Sequence, residues 1–124
     1  MIKGKDVKVI LSKEANVVYE ELNQIVGNEK KNQVESSVHQ SLLRSINRVR
    51  DLLKINPFAG NQLPKSRIPK KYVQLYGITN LWRIELANRW RMMYSIDGNE
   101  IEIVNFVLDI FNHKDYDKLL GYKH

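Results

Sequence analysis

Arg83, Glu85 and Arg91 are charged side chains set within the stretch NLWRIELANRWRMMYSI, much of which alternates as in sheet strands. A guanidinium offers a planar fork of donors that grips a phosphate through two hydrogen bonds, so Arg83 and Arg91 are candidates for holding or neutralising one. Glu85 is a candidate general base; its equally simple alternative is a cross-strand ion pair with Arg91. Further on, FNHKDYDKLLGYKH places His113 three residues before Tyr116. On a helix these two share a face, and an imidazole titrates near neutrality, so His113 can give or take a proton. Lys114 adds charge beside them. A helix cap or a surface position explains His113 equally well.

A second group of cations lies in LPKSRIPKKY, with Lys65, Arg67, Lys70 and Lys71 and no acidic residue among them. Such a cluster attracts phosphates, and its two prolines lower the entropy cost of presenting the charges. The same composition also describes a solvated surface loop. The whole chain carries 20 Lys and Arg against 14 Asp and Glu, a formal charge of +6, which favours a polyanion or an acidic protein as partner. Three scattered histidines and no cysteine offer no zinc-ligand spacing, and no glycine-rich phosphate loop or dinucleotide fingerprint occurs. No metal or other cofactor is expected.

These residues need elements to position them. With 124 residues, 43% hydrophobic and 27% charged, the composition fits one folded domain spanning 1–124. DVKVILS, residues 6–12, alternates and is rich in Val and Ile, which predicts a first strand. Ser12 is placed to cap a helix with apolar positions Val18, Leu22, Ile25 and Val26, stopped at Gly27 and Asn28. Asn32 with Glu35 has capping-box spacing and opens a second helix. Its expected buried stripe is Val34, Val38, Leu42, Ser45, Val49 and Leu53, ending at Asn56-Pro57. Residues 57–80 hold all three prolines and read as a long loop.

From Leu81 the period becomes two. Trp82, Ile84, Trp90 and Met92 are expected to face the helices, and Arg83, Glu85 and Arg91 the opposite, open face of the sheet. Tyr94 shares the parity of the core positions. Asp97-Gly98 is a hairpin signal, residues 101–108 a third strand, and Asn112 with Asp115 a cap for a short final helix through Leu120. The opening MIKGKDVKVIL lacks a signal-peptide pattern, no stretch has the length and apolarity of a membrane span, and cysteine is absent. A cytoplasmic protein with no membrane partner is expected.

The segments NLWRIEL, RWRMMYSI, EIVNFVL and HKDYDKLLGYK together resemble the RelE/ParE superfamily of toxins, in particular its mRNA-interferase branch. GNQLPKSRIPKKYVQLYGI resembles one subgroup, and the likeness extends over nearly the whole chain. It implies an α+β fold, a small antiparallel sheet packed against an N-terminal helical hairpin with a short C-terminal helix. It also implies a translation-inhibiting toxin that cuts mRNA on the ribosome, partnered by a cognate antitoxin in a toxin–antitoxin hetero-oligomer. The family's basic residue of the first strand after the loop falls on Arg83, its arginine after an aromatic residue on Arg91, and its C-terminal aromatic residue on Tyr116. His113 is the implied second acid–base group.

Many family members carry an arginine in the run before that tyrosine. DIFNHKDY has none, and Lys114 is the cation available there. Metal-free cleavage uses the ribose 2′-hydroxyl against its own phosphate. Glu85 or Tyr116 would take the proton, His113 would protonate the leaving oxygen, and the arginines would offset the developing charge. The alternatives are a gyrase-inhibiting toxin of the same superfamily, a non-catalytic RNA- or ribosome-binding protein using the same basic strip, and a decayed toxin kept for partner binding.

Overall fold

A computed structural model describes residues 4–99 and 102–120. Strand β1 (Asp6–Leu11) leads into helix α1 (Lys13–Lys31), and α2 (Val38–Ile55) folds back beside it. The two-residue strand β2 (Asn61–Gln62), a 3-10 turn (Lys65–Arg67) and helix α3 (Lys70–Tyr76) follow. Strand β3 (Trp82–Glu85), a 3-10 turn (Ala87–Arg89), β4 (Arg91–Gly98), β5 (Glu102–Phe111) and helix α4 (His113–Leu120) complete the chain. One five-stranded sheet runs in the order β1-β5-β4-β3-β2. β2 to β5 pair antiparallel, while β1 lies parallel to β5, with Val7 opposite Ile103 and Leu11 opposite Val107. The α+β architecture of a sheet, an N-terminal helical hairpin and a short C-terminal helix is as expected; the parallel edge pair is not.

Ser12 caps α1 as expected, its Oγ accepting from Ala15 N (3.0 Å). The same hydroxyl donates to the Leu108 carbonyl at 2.6 Å, so one side chain fixes a helix start and a distant strand. α1 does not stop at Gly27; it runs on to Lys31, and Gln33 at φ 61 makes the turn out. An exposed glycine costs a helix only about 1 kcal/mol relative to alanine, too little to end one that is packed against a neighbour. Ile25 is 40% exposed, whereas Leu22 and Val26 are buried.

α2 is capped by Ser37, whose Oγ accepts from Gln40 N (3.1 Å), and not by Asn32. Glu29 of α1 reaches across to accept from the Ser37 hydroxyl at 2.6 Å and lies 3.4 Å from His39 Nδ1. Val34 therefore precedes the helix, and Val38 is its exposed first residue. The stripe Leu42, Ser45, Val49 and Leu53 is buried as expected, joined by Ile46.

Residues 57–80 are not a plain loop. Pro69 and Gly77 (φ 63) bracket α3, with Gly77 N returning to the Val73 carbonyl. Seven residues are too few to show a helical period, so only those two stops marked it. Asp97 and Gly98 are still paired strand residues, opposite Val104 and Ile103. The connection to β5 comes after them, where Asn99 Oδ1 accepts from Glu102 N (2.9 Å). The expected third strand begins at Ile101, which lies outside the described residues.

The sheet has a core on each side. Ile46, Leu53, Met92, Tyr94 and Val107 are completely buried under the hairpin, with Trp82, Ile84 and Trp90 packed against them. The opposite face is not open: Leu63, Tyr72, Leu81, Met93, Leu108, Tyr116 and Leu120 form a second core beneath α3 and α4. A register shift opposite Met93 and Tyr94 makes this possible, because Asp109 and Val107 pair with those residues and Leu108 is the extra one. The bulge carries Asp109 and Phe111 to the α3–α4 side, where Tyr72 donates to Asp109 at 2.6 Å and Phe111 packs edge-on against Tyr116.

Candidate functional site

Glu85 pairs with Arg91 across β3 and β4, and Arg83 with Met93, so the two arginines are diagonal neighbours on the α4 side. Each is set by the alternation that buries Trp82, Ile84 and Met92 on the hairpin side. α4 starts as expected at Asn112, whose Oδ1 accepts from Asp115 N (2.9 Å) and whose carbonyl accepts from Tyr116 N. One turn in, Tyr116 lies between the two arginines.

Tyr116 is 2% exposed. The Arg83 Cζ lies 5.6 Å and the Arg91 Cζ 5.5 Å from its ring centroid, and Arg83 Nη1 donates to its hydroxyl oxygen at 2.7 Å. The face of an aromatic ring attracts cations, so one phenol gathers two guanidinium groups that would otherwise repel. The Nε–H groups of both arginines are buried and find no protein acceptor among the described residues. A buried donor left unpaired costs about 1–3 kcal/mol, and an uncompensated pair in one place is what an anion site looks like from the protein side.

Glu85 forms the ion pair, but loosely: its Oε1 is 3.4 Å from Arg91 Nη2, and its side chain is 70% exposed. A pair half in water contributes little to stability and leaves Arg91 free to take a stronger acceptor. His113 Nε2 receives Arg89 Nη2 at 3.1 Å, and because arginine has no acceptor, the imidazole nitrogen must supply the lone pair.

Arg89 is the residue that the sequence reading missed. It closes the 3-10 turn between β3 and β4, where Asn88 (φ 58) and Arg89 (φ 63) both take left-handed backbone conformations. Such positions cost about 1–3 kcal/mol each in residues other than glycine and persist where surrounding structure enforces them. Here Asn88 Nδ2 donates to the Val38 carbonyl (3.0 Å) and Ala87 N to Ser45 Oγ (3.0 Å), tying the turn to α2. The available signal was the parity in RWR, which puts Arg89 in step with Arg91.

The loop cations are spread out. Lys65 and Arg67 sit exposed in the turn that follows β2, the strand beside Arg83. Lys70 and Lys71 open α3, and the Lys71 Nζ lies 5.5 Å over the Tyr72 ring. Lys71 also lines a groove of about 520 Å³ with Glu14, Trp90, Asp109, Asp115 and Lys118. Carboxylates therefore accompany this lysine in space although none is near it in sequence. Lys114 is exposed. α3 is held by two phenols: Tyr72 on Asp109, and Tyr76 donating to Glu14 Oε2 at 2.7 Å. Burial and the Asp109 contact raise the Tyr72 phenol well above its ordinary value. Burial and Glu14 push Tyr76 up to about 12, and its hydroxyl in turn lowers Glu14.

No helix among the described residues is long and apolar enough to cross a membrane. Nor do three His, Asp or Glu side chains gather there as a metal centre would require.

A mixed sheet with a helical hairpin on one face and two short helices on the other defines a small α+β class. Within it, the fold is similar to that of a solved bacterial toxin. A YoeB/ParE toxin from Agrobacterium tumefaciens superposes with a TM-score of 0.53 over 86% of this chain and 98% of its own, at 17% sequence identity. No protein-family model matches the chain, and no curated protein sequence does.

Proposed function

We propose that the protein is the toxin of a toxin–antitoxin pair and acts as an endoribonuclease on ribosome-bound mRNA. The observation that carries this reading is the convergence of Arg83 and Arg91, each with a buried Nε–H lacking a protein acceptor, on the Tyr116 phenol. Two guanidinium groups on one small patch suit a scissile phosphate, whose charge rises as a fifth oxygen approaches phosphorus. Glu85 on Arg91, Tyr116 on Arg83 and His113 on Arg89 are the groups assigned to move protons. The 2′ oxygen bonds to phosphorus and the bond to the 5′ oxygen breaks. A protein base takes the 2′ proton and an acid protonates the leaving oxygen, giving a cyclic phosphate and a free 5′-hydroxyl.

Lys65, Arg67, Lys70, Lys71 and Lys114 are assigned to the flanking RNA or ribosomal backbone. The likeness to a YoeB/ParE toxin supports the antitoxin as a further partner, and a net charge of +6 suits an acidic segment that orders on binding. The test is to incubate programmed ribosomes with the protein and map the mRNA ends. Cuts at a fixed position within the A-site codon are expected. Intact mRNA accompanied by blocked DNA supercoiling would replace this reading with gyrase inhibition.

A further inference from the structure

Resting on the endoribonuclease reading, we propose that Arg89 is a third phosphate-contacting residue of this site and that it fixes His113 as the proton acceptor. Three observations meet here. Arg89 donates to His113 Nε2 at 3.1 Å, although neutral imidazole is a weaker partner for a guanidinium than any oxyanion. The turn presenting Arg89 holds two consecutive left-handed residues, Asn88 and Arg89, and is clamped to α2 through the Val38 carbonyl and Ser45 Oγ. The run before Tyr116, DIFNHKDY, contains no arginine of its own. The chain thus brings a guanidinium to the start of α4 from a different element, at the expense of backbone strain.

The hydrogen bond dictates the chemistry. Nε2 can receive Arg89 only with a lone pair, so the imidazole is neutral and carries its proton on Nδ1. When RNA enters, Arg89 exchanges this weak acceptor for a phosphate oxygen, and the freed Nε2 takes the proton of the 2′-hydroxyl. The 2′ oxygen then attacks phosphorus and the bond to the 5′ oxygen breaks. The proton for the leaving oxygen comes from the Tyr116 hydroxyl, whose oxygen accepts from Arg83. This reverses the role of proton donor that the residue types suggested for His113.

Arg89→Gly separates this from a purely structural role. At φ 63 glycine relieves the strained backbone while removing the guanidinium. The variant should therefore melt no lower than wild type. Ring-nitrogen NMR of the free protein should show His113 as the Nδ1–H tautomer in wild type and shifted toward Nε2–H in the glycine variant. Affinity for a short 2′-O-methyl RNA should fall, with the log–log salt slope shallower by about 0.7, the value for one phosphate contact on a single strand. Single-turnover cleavage on ribosomes should drop about 100-fold, and Arg89→Lys should recover part of it.

An unchanged His113 tautomer together with an unchanged salt slope would overturn the proposal. So would wild-type cleavage by the glycine variant. Neither the tautomer nor the salt slope requires cleavage, so a wild-type protein that fails to cut mRNA would sink the nuclease reading while these two arms still decide on Arg89.

Discussion

The two faces of the sheet bury similar kinds of side chain but solve different problems. Under the hairpin, Ile46, Leu53, Met92 and Val107 are fully buried; Tyr94 there accepts Gly60 N and Ser45 accepts Ala87 N, while the neutral amide of buried Asn105 donates to the Pro57 carbonyl and leaves its Oδ1 without a partner among the described residues. Under α3 and α4, Met93, Leu108 and Tyr72 are equally buried, yet the cover is two short helices fastened partly by phenol–carboxylate bonds. At one end of that second core stand two arginines with unmet donors. The difference teaches that the hairpin face supplies stability, while the other face gathers two unmet cationic donors where an anion can complete them.

The strongest break in this comparison should come from Tyr116→Phe. It deletes a single oxygen that contacts Arg83, so stability should change by only about 1 kcal/mol, whereas loss of a proton-transfer group should slow single-turnover cleavage about 10²–10⁴-fold. A variant with full activity would remove Tyr116 from the chemistry. Leu53→Ala is its counterpart on the hairpin face. Emptying a fully buried leucine site should cost about 2–5 kcal/mol in urea unfolding, with cleavage per folded molecule unchanged.

Ser12→Ala probes the seam between the faces, since it removes the α1 cap and strands the Leu108 carbonyl at the bulge. A loss of about 1–3 kcal/mol is expected, readable as a lower urea midpoint. The smallest effect should be that of acid. Glu14 and Glu29 are both lowered from 4.5, chiefly by the hydroxyls of Tyr76 and Ser37. A depressed carboxylate stabilises the fold above its unfolded value and loses that contribution as pH falls through its folded value. The urea midpoint should therefore decline below pH 4.5, and less steeply in a Glu14→Gln, Glu29→Gln double variant. Identical slopes would show that neither contact matters.

Local signals made part of this structure readable. Ser12 and Asn112 announced their helices because a cap is a contact between near neighbours. The parity of Trp82 to Ile96 separated the hairpin-facing side chains from Arg83 and Arg91 because side chains alternate across a paired strand. What escaped depends on residues far apart. The parallel pairing of β1 with β5, the bulge at Leu108 and the cover formed by α3 and α4 all arise from tertiary contacts that leave no period in the chain. Residues 107 to 111 break alternation at that bulge, so the last strand looked shorter than it is. Arg83, Arg91 and Tyr116 were found by residue type and resemblance, and the structure brings them into contact. The bond from Arg89 to His113 spans 24 positions and hangs on two left-handed residues that nothing in Asn-Arg required.

The central claim, that Arg83 and Arg91 are held for a phosphate and not for the fold, is tested most directly by one paired measurement on Arg83→Ala and Arg91→Ala. Urea unfolding and single-turnover cleavage of ribosome-bound mRNA would be followed on the same preparations. Each variant should cut about 10²–10³-fold more slowly, equivalent to about 2.7–4 kcal/mol, because it loses a donor aimed at the developing phosphate charge. Each should unfold within about 1 kcal/mol of wild type, since it also removes a buried donor that had no partner. Wild-type cleavage rates, or a loss of stability large enough to account for the lost activity, would contradict the account.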